Sequence, residues 1–216
     1  MIHQKGILEE IIIFTRYPLA GKAKTRLIPK LGAEGAASLQ RTMTEQVVYT
    51  AREVVKSRKP NLAIYYTDGS QQQMQEWLGT DSSYFAQKGI NLGQRLHNGF
   101  LDSWKRGAQR TVIIGSDCPA LESQLISKAL SALDRNQLVL GPSGDGGYYL
   151  IGTTCDLPTD TLTHLFTGIP WGTSDVLQAT VNKGRQKGIE IATLKELQDI
   201  DIPIDLTYFD HHSNPQ

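Results

Sequence analysis

The sequence predicts an α/β fold: a mostly parallel mixed sheet flanked by helices. Two observations carry this expectation. Short apolar runs rich in β-branched residues alternate with longer segments in which apolar residues recur every three or four positions. Each apolar run also ends in a turn built from Gly, Pro or Asp. With 216 residues, 39% of them hydrophobic, the chain has enough apolar material for one compact core. A single domain is expected over 8–207, followed by a polar, frayed tail over 208–216.

The first run is Ile11-Ile12-Ile13, too short for a helix and β-branched throughout, as suits a strand buried on both faces. It leads into a loop holding Arg16, Lys22, Lys24 and Arg26, with Pro18 and Gly21 shaping the turn and Thr25 adding a hydroxyl. Backbone N–H groups near a glycine, together with several basic heads, can surround phosphate oxygens. A solvated basic loop is the plainer alternative, but a loop leaving the carboxyl end of a strand opens onto the crevice where α/β sheets bind ligands. Neither a Walker loop nor a Gly-x-Gly-x-x-Gly fingerprint is present.

Ala36, Leu39, Met43, Val47, Ala51 and Val54 then mark an amphipathic helix. Leu62 to Tyr66 reads as the second strand, and Thr67-Asp68-Gly69 as its turn. A short helix through Met74, Trp77 and Leu78 and a brief strand at Tyr84-Phe85-Ala86 follow. The segment from Gly89 to Leu96 opens another helix, whose inner face carries Leu92, Leu96, Phe100 and Trp104. Asn91 and Gly93 either start that helix in the ordinary way or let a base or ribose approach the backbone.

Thr111 to Ile114 is the clearest inner strand, and it runs into Gly115-Ser116-Asp117-Cys118-Pro119. An acid at that position faces the same crevice as the basic loop, so Asp117 is a candidate Mg²⁺ ligand; capping the next helix, about Glu122 to Leu133, is the alternative. Leu138-Val139-Leu140 is a further strand. It ends in Gly141-Pro142-Ser143-Gly144-Asp145-Gly146-Gly147, after which Tyr148 to Ile151 returns as a strand. Asp145, Gly146 and Gly147 form either a plain hairpin turn or a place where an acceptor meets the backbone closely. Trp171 either covers a substrate or packs within its loop. A helix with Val176, Leu177 and Val181, a late strand at Glu190 to Leu194, and a terminal helix opened by Pro203 complete the chain. Asp199 and Asp201 lie on one face of the extended segment before it, available to join Asp117 or to cap that helix.

Lys plus Arg equals Asp plus Glu, 22 against 22, so no general field attracts nucleic acid. No signal-peptide core or membrane-spanning run is found. Cys118 and Cys155 offer neither a disulfide framework nor zinc spacing, and the cytoplasm is the expected compartment.

Together these blocks resemble the rSAM/selenodomain-associated transferases of the nucleotide-diphospho-sugar transferase (GT-A) superfamily, from Ile11 to Leu206. The carriers are Phe14-Thr15-Arg16-Tyr17-Pro18, Gly21-Lys22-Ala23-Lys24-Thr25-Arg26-Leu27, Gly115-Ser116-Asp117-Cys118-Pro119, Gly141-Pro142, Asp145-Gly146-Gly147-Tyr148-Tyr149-Leu150, Pro170-Trp171-Gly172 and Asp199-Ile200-Asp201. The set is more distantly similar to 2-phospho-L-lactate guanylyltransferases and to molybdopterin-guanine-dinucleotide type nucleotidyltransferases. The Gly-x-Gly-x-Arg loop of better-known pyrophosphorylases is absent. The resemblance implies a GT-A fold with a nucleotide or nucleotide sugar bound by the amino-terminal half and a small-molecule acceptor by the carboxy-terminal half. It also implies Mg²⁺ or Mn²⁺ held by Asp117 and Asp201, with Lys24 and Arg26 on phosphates. Nucleotidyl transfer is the leading expectation, with Lys24, Arg26 and Asp117 as catalytic groups. Glycosyl transfer and a nucleotide-binding regulatory module are its rivals.

Overall fold

A computed structural model describes residues 8–210. A seven-stranded sheet runs β3-β2-β1-β4-β6-β5-β7. Its strands are β1 (Glu9–Arg16), β2 (Asn61–Thr67), β3 (Ser83–Ala86), β4 (Arg110–Gly115), β5 (Leu138–Pro142), β6 (Tyr148–Thr154) and β7 (Ile191–Thr193). Only β6 runs against its neighbours, pairing antiparallel with both β4 and β5. The helices are α1 (Ile28–Arg58), α2 (Gln71–Leu78), α3 (Leu92–Lys105), α4 (Ser123–Ala132), α5 (Thr159–Phe166), α6 (Val176–Gln186) and α7 (Leu206–Asp210). The α/β architecture expected from the sequence is therefore the one found. Of the tail expected over 208–216, residues 211–216 lie outside the described range, and 208–210 belong to α7.

β1 is buried on both faces because two layers of helices cover the sheet. Ile11 and Ile13 pack into a cluster with Val47, Ala51, Val54 and Ile126 from α1 and α4. Ile12 and Phe14 face the opposite cluster with Leu96 and Phe100 of α3 and Leu162 and Leu165 of α5. This two-sided burial is why the strand reads as a continuous apolar run rather than an alternation. Strand β6 passes between β4 and β5 so tightly that a Cβ on Gly152 would lie 2.7 Å from Val139 Cγ1 and 2.8 Å from Val112 Cγ1.

Helix α1 starts eight residues before its expected first apolar position and is broken at Gly32, whose backbone (φ 72°, ψ 168°) is not helical. The break lets a first turn carrying Ile28 and Leu31 fold against Leu27, Met43 and Ile200. Helix α5 has no counterpart among the elements read from the sequence. Three of its eight residues are threonines, which lose side-chain freedom in a helix. The helix forms because Leu162, Leu165 and Phe166 are buried, Phe166 stacking on Phe100 at 6.0 Å.

β1 pairs with β2 on one side and β4 on the other, so chain order reverses at the β1/β4 boundary. A crevice beyond the carboxyl ends of the strands at such a switch point is where an open α/β sheet binds its ligand.

Candidate active site

A cavity of about 560 Å³ opens there. Arg16, Lys22, Lys24, Thr25 and Arg26 line it from the basic loop, and Asp117, Asp145, Asp199 and Asp201 line it from the middle and end of the chain. Cations and acids as far apart in sequence as Arg16 and Asp201 thus share one space.

The basic loop is held by its own backbone. Lys22 N and Ala23 N both donate to Leu19 O, and Gly21 takes the positive φ of 80° that closes the turn. Arg16 donates to Lys22 O at 2.8 Å and pairs with Asp68 at 3.2 Å, so this guanidinium braces the loop. Lys24 adopts a left-handed backbone (φ 46°), which turns its side chain inward to 4% exposure. Its ammonium donates to Ile200 O at 2.6 Å, lies 2.9 Å from Asp117 Oδ1 and stands 3.8 Å from Asp201 Oδ1. Arg26 stays exposed and pairs with Asp201 Oδ2. The resemblance puts Lys24 on phosphates; in the structure its head group rests on carboxylates, while Lys22 and Arg26 face the cavity from outside.

Asp117 follows β4, and Ile200 N donates to its backbone carbonyl at 2.9 Å. That bond brings the Asp199–Asp201 segment alongside. The segment is turned by Asp205, whose Oδ2 accepts from Asp201 N and Ile202 N at 3.0 and 2.8 Å. Asp199 Oδ1 is buried with no hydrogen-bond partner. Burial first, then Asp145 and Asp117, push its carboxyl up to about 6 from the usual 3.8. Because the folded value lies above the unfolded one, the folded chain binds the proton more tightly between about pH 4 and 6. Stability from this group therefore falls as pH rises through that window, and the penalty is complete above it. Asp199→Asn is expected to raise the thermal unfolding midpoint at pH 8 and to leave it unchanged near pH 4, as calorimetry at both values would show.

The donors available here suit a hard divalent ion. Asp117 and Asp199 supply carboxylate oxygen, and the unpartnered Asp199 Oδ1 is a buried acceptor without a cation. Among the described residues no group of three or more His, Cys, Asp or Glu side chains is placed to hold a metal. An ion such as Mg²⁺ takes one or two carboxylates and completes its shell with water and phosphate. Cys118 is buried, and burial reinforced by Asp199 pushes its thiol well up, so it stays protonated.

Asn91, Gly93 and Gly146 sit beside the cavity rather than on it. Asn91 caps α3 by accepting from Gln94 N at 2.9 Å. Gly93 is buried under Trp171: a Cβ there would lie 2.7 Å from Phe166 O and 2.9 Å from the indole. Trp171 and Gly147 do line the cavity. Gly146 (φ 85°) packs against Ser174, where a Cβ would lie 2.2 Å from the carbonyl oxygen, and its own carbonyl accepts from Leu177 N. Asp145 Oδ1 accepts from Ser143 Oγ at 2.5 Å and from Gly147 N at 2.8 Å, which shapes the loop around it.

Gln40 is a cavity residue that none of the sequence motifs contains. Its amide donates to Thr44 Oγ1 at 3.1 Å and to Ser116 Oγ at 3.0 Å, and Thr15 and Thr44 hydroxyls meet at 2.8 Å. This buried network lies next to Asp117 and lines the cavity through Thr15, Gln40 and Ser116. The sequence carries a local signal for it: Gln40 and Thr44, four apart, interrupt the apolar face marked by Ala36, Met43 and Val47.

The chain is similar over 93% of its length, at 34% identity and TM-score 0.84, to a candidate nucleotide-diphospho-sugar transferase from Desulfovibrio desulfuricans G20, 85% of which is covered. A nucleotidyl transferase from Methanothermobacter matches at 15% identity and TM-score 0.66, over 96% of this chain and 99% of that one. Glucosyl-3-phosphoglycerate synthase from Mycobacterium tuberculosis, in complex with Mn²⁺, UDP and glucosyl-3-phosphoglycerate, matches at 11% identity and TM-score 0.59, over 98% and 82%. At these last two identities the likeness is one of fold: the nucleotide-diphospho-sugar transferase fold. None of the curated proteins matches the chain. No helix among the described residues is long and apolar enough to cross a membrane. Residues 50–173 match the family described as "uncharacterized protein conserved in bacteria" (DUF2064), and because that match spans more than half of the chain, the chain belongs to this family.

Proposed function

We propose that the chain is a nucleotidyltransferase that moves a nucleoside monophosphate from a nucleoside triphosphate to a phosphorylated small-molecule acceptor. The observation that carries this reading is the meeting of Lys22, Arg26, Asp117, Asp199 and Asp201 around one cavity at the sheet's switch point. An acceptor oxygen attacks the α-phosphorus, the bond to the β-phosphate oxygen breaks, and pyrophosphate leaves with the electron pair. The chain's task is alignment and charge neutralisation. Lys22 and Arg26, with Thr25 between them, hold the departing phosphates; Arg16 keeps their loop in shape. Mg²⁺ or Mn²⁺, when bound, would neutralise charge at the reacting phosphate. Asp117 would hold it with Asp201 or Asp199, and the unpartnered oxygen favours Asp199. Asp145, Gly147 and Trp171 border the acceptor end, with Gly146 fixing that loop.

Glycosyl transfer from a nucleotide-diphospho-sugar is the second reading, favoured by the description of the 34% identical relative. In either case a single GT-A-like domain over 8–207 and membership of the rSAM/selenodomain-associated group fit the motifs. A cytoplasmic location suits both donors and the two free cysteines. Incubation with nucleoside triphosphates or nucleotide sugars, Mg²⁺ and phosphorylated acceptors separates the readings by product. Pyrophosphate release is expected; nucleoside diphosphate release from a nucleotide sugar would replace the first reading with the second.

A further inference from the structure

Lys24 differs from the other cations of its loop. Arg16 and Arg26 side chains are 45% and 66% exposed, whereas Lys24 is 4% exposed and reaches its position through a backbone conformation that L-residues rarely adopt. Its ammonium sits between the two acids that the resemblance assigns to a metal, at 2.9 Å from Asp117 Oδ1 and 3.8 Å from Asp201 Oδ1, and is anchored by Ile200 O. Three segments distant in sequence therefore converge on one fixed positive charge.

We infer that Lys24 is a built-in competitor of the divalent ion, which keeps the acid pair neutralised and excludes metal from the nucleotide-free protein. This rests on reading Asp117 as a metal-binding acid. A divalent ion on Asp117 lies close to a buried ammonium that cannot swing into solvent, and like charges at short range with little intervening water repel strongly. Polyphosphate oxygens supply the negative charge that lets both cations share the site. Metal therefore enters with the nucleotide rather than before it, and Lys24 acts as a positioning residue that sets this order.

Mn²⁺ binding to the nucleotide-free protein, followed by the electron paramagnetic resonance signal of free Mn²⁺, tests the inference without any turnover. Lys24→Met, which keeps the side chain's length and removes its charge, is expected to bind Mn²⁺ at least about tenfold tighter than wild type. The gain should vanish in Lys24→Met/Asp117→Asn, while Lys24→Arg should stay as weak as wild type. Equal or weaker Mn²⁺ binding by Lys24→Met overturns the inference. If that variant does not fold, wild type and Asp117→Asn decide. Equal weak binding supports the inference, and tighter Mn²⁺ binding by wild type overturns it. The reading of function fails separately, by an absence of transfer with every donor while Lys24→Met still gains Asp117-dependent Mn²⁺.

Discussion

Asp117→Asn is expected to lower kcat/KM for group transfer by about thirtyfold to a thousandfold, the range for losing about 2–4 kcal/mol of charge stabilisation in the transition state. Asp117 stands at the end of β4, where the backbone bond from Ile200 N and the ion pair with Lys24 fix its place. Asparagine keeps the size but not the charge, so the Lys24 ammonium and any divalent ion lose their shared partner. Nucleotide affinity should change far less than turnover, because the proposed phosphate-holding residues are Lys22 and Arg26, and Arg26 pairs with Asp201 rather than Asp117. Initial rates at varied donor concentration, with affinity measured separately by calorimetry, distinguish the two effects. A variant that turns over as fast as wild type would remove Asp117 from the chemistry. A protein with no turnover to lose, yet with nucleotide affinity intact, would be a regulatory binding module.

Arg106→Met is expected to destabilise the fold by about 3–5 kcal/mol, the cost of leaving a buried carboxylate without its counter-ion. Glu10 is 3% exposed at the start of β1 and receives Arg106 Nη2 at 2.8 Å, Arg106 Nε at 3.2 Å and Ser103 Oγ at 2.5 Å. The guanidinium also donates to Tyr65 Oη at 3.1 Å and lies 4.6 Å over the Phe85 ring. Methionine keeps part of the packing and loses the guanidinium's contacts with Glu10, Tyr65 and Phe85. Urea unfolding would register the loss as a lower midpoint at unchanged slope. Glu10→Gln/Arg106→Met should recover part of it, because no unpaired charge then remains. A double variant no more stable than Arg106→Met would assign the loss to packing against Phe85 instead.

Glu10 also marks a limit of local reading. Ile11 to Ile13 announced a buried strand, but nothing near Glu9 and Glu10 in the sequence says that both acids are buried too. Their partners Arg58, Arg106 and Arg110 come from other elements, 49 to 101 residues away. Gln40 could have been recognised, since a polar residue interrupting an apolar stripe is a local signal. Helix α5 could not: its threonines argue against a helix, and only the surface offered by Phe100 makes burial of Phe166 outweigh that preference.

Among site residues, the sequence alone determined at which strand ends the basic loop, Asp117 and Asp145 stand. Hydrophobic periodicity locates strands, and a loop that follows a parallel strand must emerge at the sheet's carboxyl edge. Tertiary structure decided how those side chains divide their duties. Lys24 and Arg26 are equivalent basic residues two positions apart in the sequence, yet one is buried on Asp117 and the other is exposed. Asp199 and Asp201 are just as alike, yet only Asp201 is paired with Arg26 and Lys24, while Asp199 keeps a bare oxygen. Charge and spacing are properties of the chain, whereas desolvation and pairing depend on which distant segments close over each group.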